Sequence, residues 1–248
     1  MNKYPLIIKS SLFSKYPELF FAFSTKDWMD YGKDPVINDD KSDLLKQKGI
    51  KKRFKSFFEY INISPDNIIT QTQIHSTNIN YGEVSGHFDN SDGLHTDKKN
   101  IFLTIKAADC IPIFLYDPVK KVIAGVHSGW KGSRDKILSK MISVLKENYG
   151  INSADIVAYI GPGISKEHYE VSKEIADFFS EESKELKNGK YYLDLKTDNL
   201  FQLLNRGVRR GNIEISPLCT YANSSILFSY RKEKENAGRL IGVIGLIH

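Results

Sequence analysis

The sequence predicts an α/β fold of mixed β-sheets with flanking helices. Short β-like apolar runs dominate the chain, and three segments show helical spacing with recognisable ends. The two kinds of element interleave without a strict strand–helix–strand rhythm, which argues for mixed sheets with helices outside. The 248 residues suit one domain spanning 1–248, since single α/β domains run to about 250 residues.

In chain order, the first helix is expected over 51–60, where Phe54, Phe57 and Phe58 fall at core-facing spacings. Strands follow at 67–72, 79–84 and 101–105. Segments 111–116 and 122–127 flank Asp117-Pro118-Val119-Lys120-Lys121 and read as a hairpin. A second helix begins at Ser133, read as its N-cap. It lines up Ile137, Met141, Val144 and Leu145 and stops at Gly150. A strand at 156–160 comes next. The third helix follows Thr197, read as its N-cap, with Leu200, Leu204 and Val208 on one side and Gly211 as its stop. Strands at 213–215, 226–230 and 240–247 complete the pattern.

Composition narrows the function classes. The hydrophobic fraction of 41% and charged fraction of 26% are those of a globular protein. The net charge of +5 is spread along the chain, and the Lys51-Lys52-Arg53 cluster reads as a solvated helix face, so no nucleic-acid partner is expected. Two cysteines, Cys110 and Cys219, make no disulfide framework and fit a reducing compartment. No stretch reads as a signal peptide or membrane span. A cytoplasmic monomer acting on a small molecule is expected.

The chemistry concentrates between residues 107 and 133. A hairpin turn centred between Pro118 and Val119 sets Cys110 directly opposite His127. Opposed residues share a face, with Cβ atoms about 4.5–5.5 Å apart. That separation suits one zinc ion, bound by sulfur at about 2.3 Å and imidazole at about 2.1 Å. It equally suits a thiolate–imidazolium pair, and a bulge of one residue would break it. His127 then opens the glycine-rich run Ser128-Gly129-Trp130-Lys131-Gly132-Ser133, whose free N–H groups and Lys131 suit an anion such as phosphate. The spacing of His75 ties it to neither residue.

Taken together, several stretches resemble the YfiH/laccase-domain family, also described as multicopper polyphenol oxidoreductases and as purine nucleoside phosphorylases. They are QIHSTNI around His75, SDGLHTD at 91–97, AADCIPIFLYDP around Cys110, GVHSGWKGS around His127, YIGPGIS followed by HYEV at 168–171, and FSYRKEKENAGRLIGVIGL at 228–246. The resemblance implies an α/β/β/α-layered fold related to the deamidase domain of cytotoxic necrotizing factor. It implies zinc held by His75, Cys110 and His127, which would be both ligands and catalytic residues. It also implies phosphorolysis of adenosine, inosine or methylthioadenosine, with adenosine deamination as a side activity. One branch is named a peptidoglycan editing factor. The sequence departs from the family's Thr-Arg-x-Gly-Gly-x-Ser segment, where it has Ser24-Thr25-Lys26-Asp27-Trp28. His168 stands where many relatives have cysteine.

The expected function is therefore a zinc-dependent purine nucleoside phosphorylase. Lys131, Arg231 and Arg239 are the candidates for binding anionic substrate. Copper would be a substitute for zinc on raw affinity. Six histidines without a His-x-His pair cannot build a multicopper centre, so polyphenol oxidation is a weaker alternative. A metal-free amidase, with Cys110 as nucleophile, His127 as base and a peptidoglycan precursor as substrate, is another. A purely structural zinc would need a fourth ligand, for which Cys219 and Asp109 are candidates.

Overall fold

The computed structural model describes residues 7–30 and 55–247. Among the described residues, fifteen strands form two six-stranded sheets and a three-stranded one. Sheet one runs β1 (Ile7–Ile8), β2 (Leu19–Ser24), β15 (Leu240–Leu246), β7 (Phe102–Ala107), β3 (Ile68–Gln71) and β5 (Gly86–Phe88). Sheet two runs β14 (Ile213–Ile215), β10 (Val157–Ile160), β8 (Ile111–Asp117), β9 (Val122–Ser128), β6 (Gly93–Thr96) and β4 (Ile79–Tyr81). Both are mixed: β3 pairs in parallel with β5 and β7, and β10 with β14, while β8 and β9 are antiparallel. The small sheet orders β11 (Glu170–Val171), β13 (Lys190–Leu193) and β12 (Lys184–Lys187).

Alternation along the central strands assigns the layers. In β8, Phe114 and Tyr116 join the core shared with sheet one, while Ile111, Ile113 and Leu115 join a second core under the helices. In β10, Val157 and Tyr159 face the first core and Ala158 and Ile160 the second. This period of two is what a strand buried on both faces requires. The sheets meet through aromatic edges, with Phe21 against Phe114 at 5.1 Å and against Tyr159 at 5.1 Å.

Short helices α1 (Asp27–Asp30) and α2 (Lys55–Tyr60) supply Trp28, Phe57 and Phe58 to the first core. The start of the helix expected at 51 lies outside the described residues. The second expected helix is two helices, α3 (Trp130–Arg134) and α4 (Ile137–Tyr149), separated by the left-handed Lys136. Ser133 therefore lies inside α3 and is not an N-cap; its buried hydroxyl bonds Ser128 at 2.8 Å. Gly150, at φ 63°, is the stop of α4 as expected. After α5 (Lys173–Ala176) comes α6 (Leu195–Asn205), capped by Asp194 rather than Thr197, because the Asp194 carboxylate accepts the Thr197 N–H at 3.0 Å. Its end falls before Gly207, at φ 89°, and not at Gly211. The segment expected as a strand at 226–230 is instead a turn leading into α7 (Tyr230–Glu233). Among the described residues no helix is long and apolar enough to cross a membrane.

The sheet interface leaves no spare room at Gly242 of β15, where a Cβ would sit 2.3 Å from Phe114 Cζ and 2.7 Å from Phe23 Cδ2. Gly242→Ala is expected to cost about 1–3 kcal/mol by overpacking. Gly86→Ala, with nothing within 4 Å of the added methyl, should stay within about 1 kcal/mol of the parent. Urea unfolding of both variants checks the contrast.

Candidate metal centre

Among the described residues the chain passes from sheet one to sheet two three times, between β3 and β4, between β5 and β6 and between β7 and β8. His75 lies on the first passage and Asp92 ends the second. Cys110 immediately precedes β8, and His127 is the penultimate residue of β9. The candidate ligand atoms of His75, Cys110 and His127 all lie within 4.8 Å of one another. Cys110 Sγ is 3.6 Å from His75 Nε2, and the two imidazole rings stand edge to face at 4.9 Å. His127 is buried, Cys110 half-buried and His75 exposed, so the cluster opens on the His75 side.

The hairpin register differs from expectation by two residues: Pro112 opposes His127 and Ile111 opposes Ser128. The reason is the turn. Asp117 Oδ1 accepts the N–H groups of Val119 at 2.8 Å and Lys120 at 2.9 Å, and Lys121 takes φ 54°, so the loop spans four residues. A shift of two leaves every side chain on its face. Cys110 and His127 thus remain on one side of sheet two, as diagonal rather than direct neighbours. One further step of the register brings Gly129 opposite Cys110. A Cβ there would lie 2.8 Å from Sγ and 2.9 Å from His75 Cδ2, so only glycine leaves room for the thiol and imidazole to meet.

Asp92 is the residue that sequence reasoning missed. Fully buried, it accepts His127 Nδ1–H at 2.8 Å through Oδ1. It also accepts the backbone N–H groups of Ile74, His75 and Ser76 at 3.2, 3.1 and 2.6 Å, and the Ser76 hydroxyl at 2.7 Å. Burial works to raise its carboxyl, but the His127 and Ser76 hydrogen bonds outweigh that and hold it below the usual carboxylate range. Its sequence signals were its position in Ser-Asp-Gly between two β-like runs and its place in the SDGLHTD stretch.

Charge pairing also dominates at Cys110 and His127. Burial opposes the thiolate, yet the adjacent positive His127 outweighs it and brings the Cys110 thiol down to about 6. Burial likewise opposes the imidazolium, but Cys110 and Asp92 together push His127 up to about 9. Without a metal these two residues form an ion pair.

Of the substrate candidates, Arg231 is tied in beside the cluster. Its backbone N–H donates to Asp109 Oδ2 at 2.6 Å, and Asp109 directly precedes Cys110. Its guanidinium reaches the Glu170 carbonyl at 2.9 Å and lies 5.2 Å over the Tyr169 ring. Burial raises the Tyr169 phenol, and the nearby Cys110 thiolate raises it further, so its hydroxyl stays a donor at neutral pH. Lys131 is exposed, with its ammonium 5.7 Å over the Trp130 ring. Arg239 donates to the Ala237 and Gly238 carbonyls and lies over Tyr230. Lys26 pairs with Glu233 and donates to the Ser224 carbonyl. His168 stacks on Tyr221 at 4.6 Å.

Neither suggested fourth ligand joins the cluster. Cys219 Sγ accepts the Ser165 N–H at 3.3 Å and the Ala222 N–H at 3.5 Å, and the Asp109 carboxylate is taken by Thr220 and Arg231. Three ligand atoms of nitrogen and sulfur, one imidazole oriented by a carboxylate, and space cleared by Gly129 fit a metal ion with an open coordination position.

Fold and site together define a mixed α/β protein with a His–Cys–His group able to hold a metal ion. The chain belongs to the multi-copper polyphenol oxidoreductase laccase family, whose pattern matches residues 39–247. It is similar to the purine nucleoside phosphorylase YlmD of Bacillus subtilis (strain 168), at 36% identity over 163 residues, 63% of this chain and 59% of that protein. A purine nucleoside phosphorylase of Deinococcus radiodurans is 31% identical over 190 residues, 75% of this chain and 73% of that one. The chain spans about three fifths of the length of the first such relatives. Among solved structures, the Bacillus licheniformis hypothetical protein YfiH superposes with TM-score 0.84 at 26% identity, covering 98% of this chain and 97% of that one. YlmD from Geobacillus stearothermophilus gives 0.81 at 25%, covering 96% and 94%.

Cys110→Ala should bring bound metal from about one ion per chain to background, and Gly129→Ala should lower it sharply without unfolding the protein. Elemental analysis of the purified variants reads both; full retention of metal in Cys110→Ala would refute the site. In metal-free protein, alkylation of Cys110 by iodoacetamide should rise with pH around a midpoint of about 6. Peptide mass spectrometry across pH 4–9 follows it, and a midpoint near the ordinary thiol value, about 8.5, would contradict the ion pair.

Proposed function

We propose that this protein is a zinc-dependent purine nucleoside phosphorylase acting on adenosine, inosine or methylthioadenosine. The observation that carries the proposal is a His75–Cys110–His127 group with no fourth protein ligand among the described residues, open on the His75 side, with the Arg231 backbone bonded to Asp109 next to Cys110. The names of the relatives support the reaction, and the borderline-soft donor set of two imidazoles and one thiolate supports zinc over harder cations. In the reaction, a phosphate oxygen forms a bond to the ribose anomeric carbon as the glycosidic bond breaks, and the purine leaves with a proton. A bound dication would supply Lewis-acid polarisation of a substrate oxygen.

The chain's own groups handle charge and orientation. Arg231 is the proposed anion contact, held by Asp109 and supported by the Tyr169 ring. Lys131, exposed in the helix that follows β9, is a further proposed anion contact. Arg239 fastens the 237–238 segment and lies over Tyr230, the sequence neighbour of Arg231. The proposal sets the enzyme in the cytoplasm, where the free thiols Cys110 and Cys219 stay reduced.

One observation favours a second reading. The metal-free Cys110–His127 ion pair is the arrangement of a thiol hydrolase, which would cleave an amide such as one in a peptidoglycan precursor. Copper-based polyphenol oxidation has less support. Among the described residues, His87 bonds Thr70 and Thr72, His95 bonds Tyr149 and His168 stacks on Tyr221, so none is grouped for further copper ions.

Incubation with adenosine, with and without phosphate, separates the readings. Phosphorolysis requires adenine and ribose 1-phosphate only when phosphate is present, with loss of turnover after chelation and return with zinc. Inosine released without phosphate would report deamination. Amide cleavage that survives chelation would support the hydrolase instead.

A further inference from the structure

We infer that Asp92 is the positioning residue that aims both histidines of the cluster at Cys110. The inference rests on the metal-binding reading of the cluster and not on the phosphorylase chemistry. His75 adopts φ 62°, a left-handed conformation uncommon for a side chain of its size. The consecutive N–H groups of Ile74, His75 and Ser76 converge on the Asp92 carboxylate and form a backbone nest around it. The anion holds the turn in the shape that delivers the imidazole to Cys110. Gln73 anchors the start of the same turn, pairing its side-chain amide with the backbone N–H and C=O of Lys106 at 2.8 and 2.7 Å.

The same carboxylate acts on His127. Its Oδ1 takes the Nδ1–H, which leaves Nε2 as the ring nitrogen able to bind a metal. The Asp92 carbonyl also accepts the His127 backbone N–H at 2.8 Å, so ring and backbone of that residue are fixed by one neighbour. Every group facing the carboxylate is a donor. Oδ1 receives His75 N–H and His127 Nδ1–H; Oδ2 receives Ile74 N–H, Ser76 N–H and the Ser76 hydroxyl. An asparagine amide can accept on one side only, and its NH2 then faces a donor on the other. Asp92→Asn keeps size and shape and breaks the joint orientation of the two histidines.

Cobalt titration of metal-free protein tests this, because cobalt reports ligand geometry through its d–d absorption and thiolate binding through a charge-transfer band. Asp92→Asn should bind cobalt about 10–100-fold more weakly, with a changed d–d envelope and a circular dichroism spectrum like the parent's. Ser76→Ala, which removes the hydroxyl bond to Asp92 and the acceptor of the Asn78 N–H, should weaken binding several-fold and serves if Asp92→Asn does not fold. Asp92→Glu should recover part of the affinity by restoring the charge. Parental affinity and spectrum in both Asp92→Asn and Ser76→Ala would overturn the inference, as would a variant that only lowers thermal stability. A parent protein that takes up neither cobalt nor zinc would overturn the metal reading beneath it.

Discussion

A single buried carboxylate, that of Asp92, closes the end of the sandwich where the site lies. It carries full negative charge with no exposure to water, a state that only a complete set of donors makes tolerable. Those donors come from the β3–β4 passage and from the end of β9, so satisfying the charge and assembling the site are one event. Backbone bonds reinforce it: Asp92 and Gly93 N–H groups both reach the Asn78 carbonyl, and the Ser91 N–H reaches that of Thr72.

A second carboxylate organises the opposite side. Asp109, itself at φ 89°, accepts the Thr220 hydroxyl and the Arg231 N–H while its carbonyl receives the Ile164 N–H. It draws three remote segments around Cys110. Close packing beneath confirms that the approach is tight: a Cβ at Gly163 would meet the Asp109 carbonyl at 3.0 Å. Cys110 thus sits between two acidic anchors. One faces the histidines, the other the arginine.

Much of this was legible in the chain itself. Short continuous apolar runs such as Ile111–Asp117 and Leu240–Leu246 announced strands because a strand buried on both faces has no polar face to show. The face shared by Cys110 and His127 followed from period-two geometry and survived a misplaced turn. Less was visible where tertiary partners decide. Asp194 captured the helix start that Thr197 seemed to own, and 226–230 lost its strand because no neighbouring edge pairs with it, although its residues suit one. Asp92 stayed hidden for the same reason: five donors from distant segments define it, and none is its sequence neighbour.

His75 reaches the cluster from the middle of a connection between the sheets, whereas Cys110 directly adjoins β8, which pairs with the strand that carries His127. Slippage of one sheet over the other would therefore change the separation of His75 from its partners while leaving the other pair intact. The centre acts as a gauge of sheet alignment, assembled only when the two halves of the sandwich are in register.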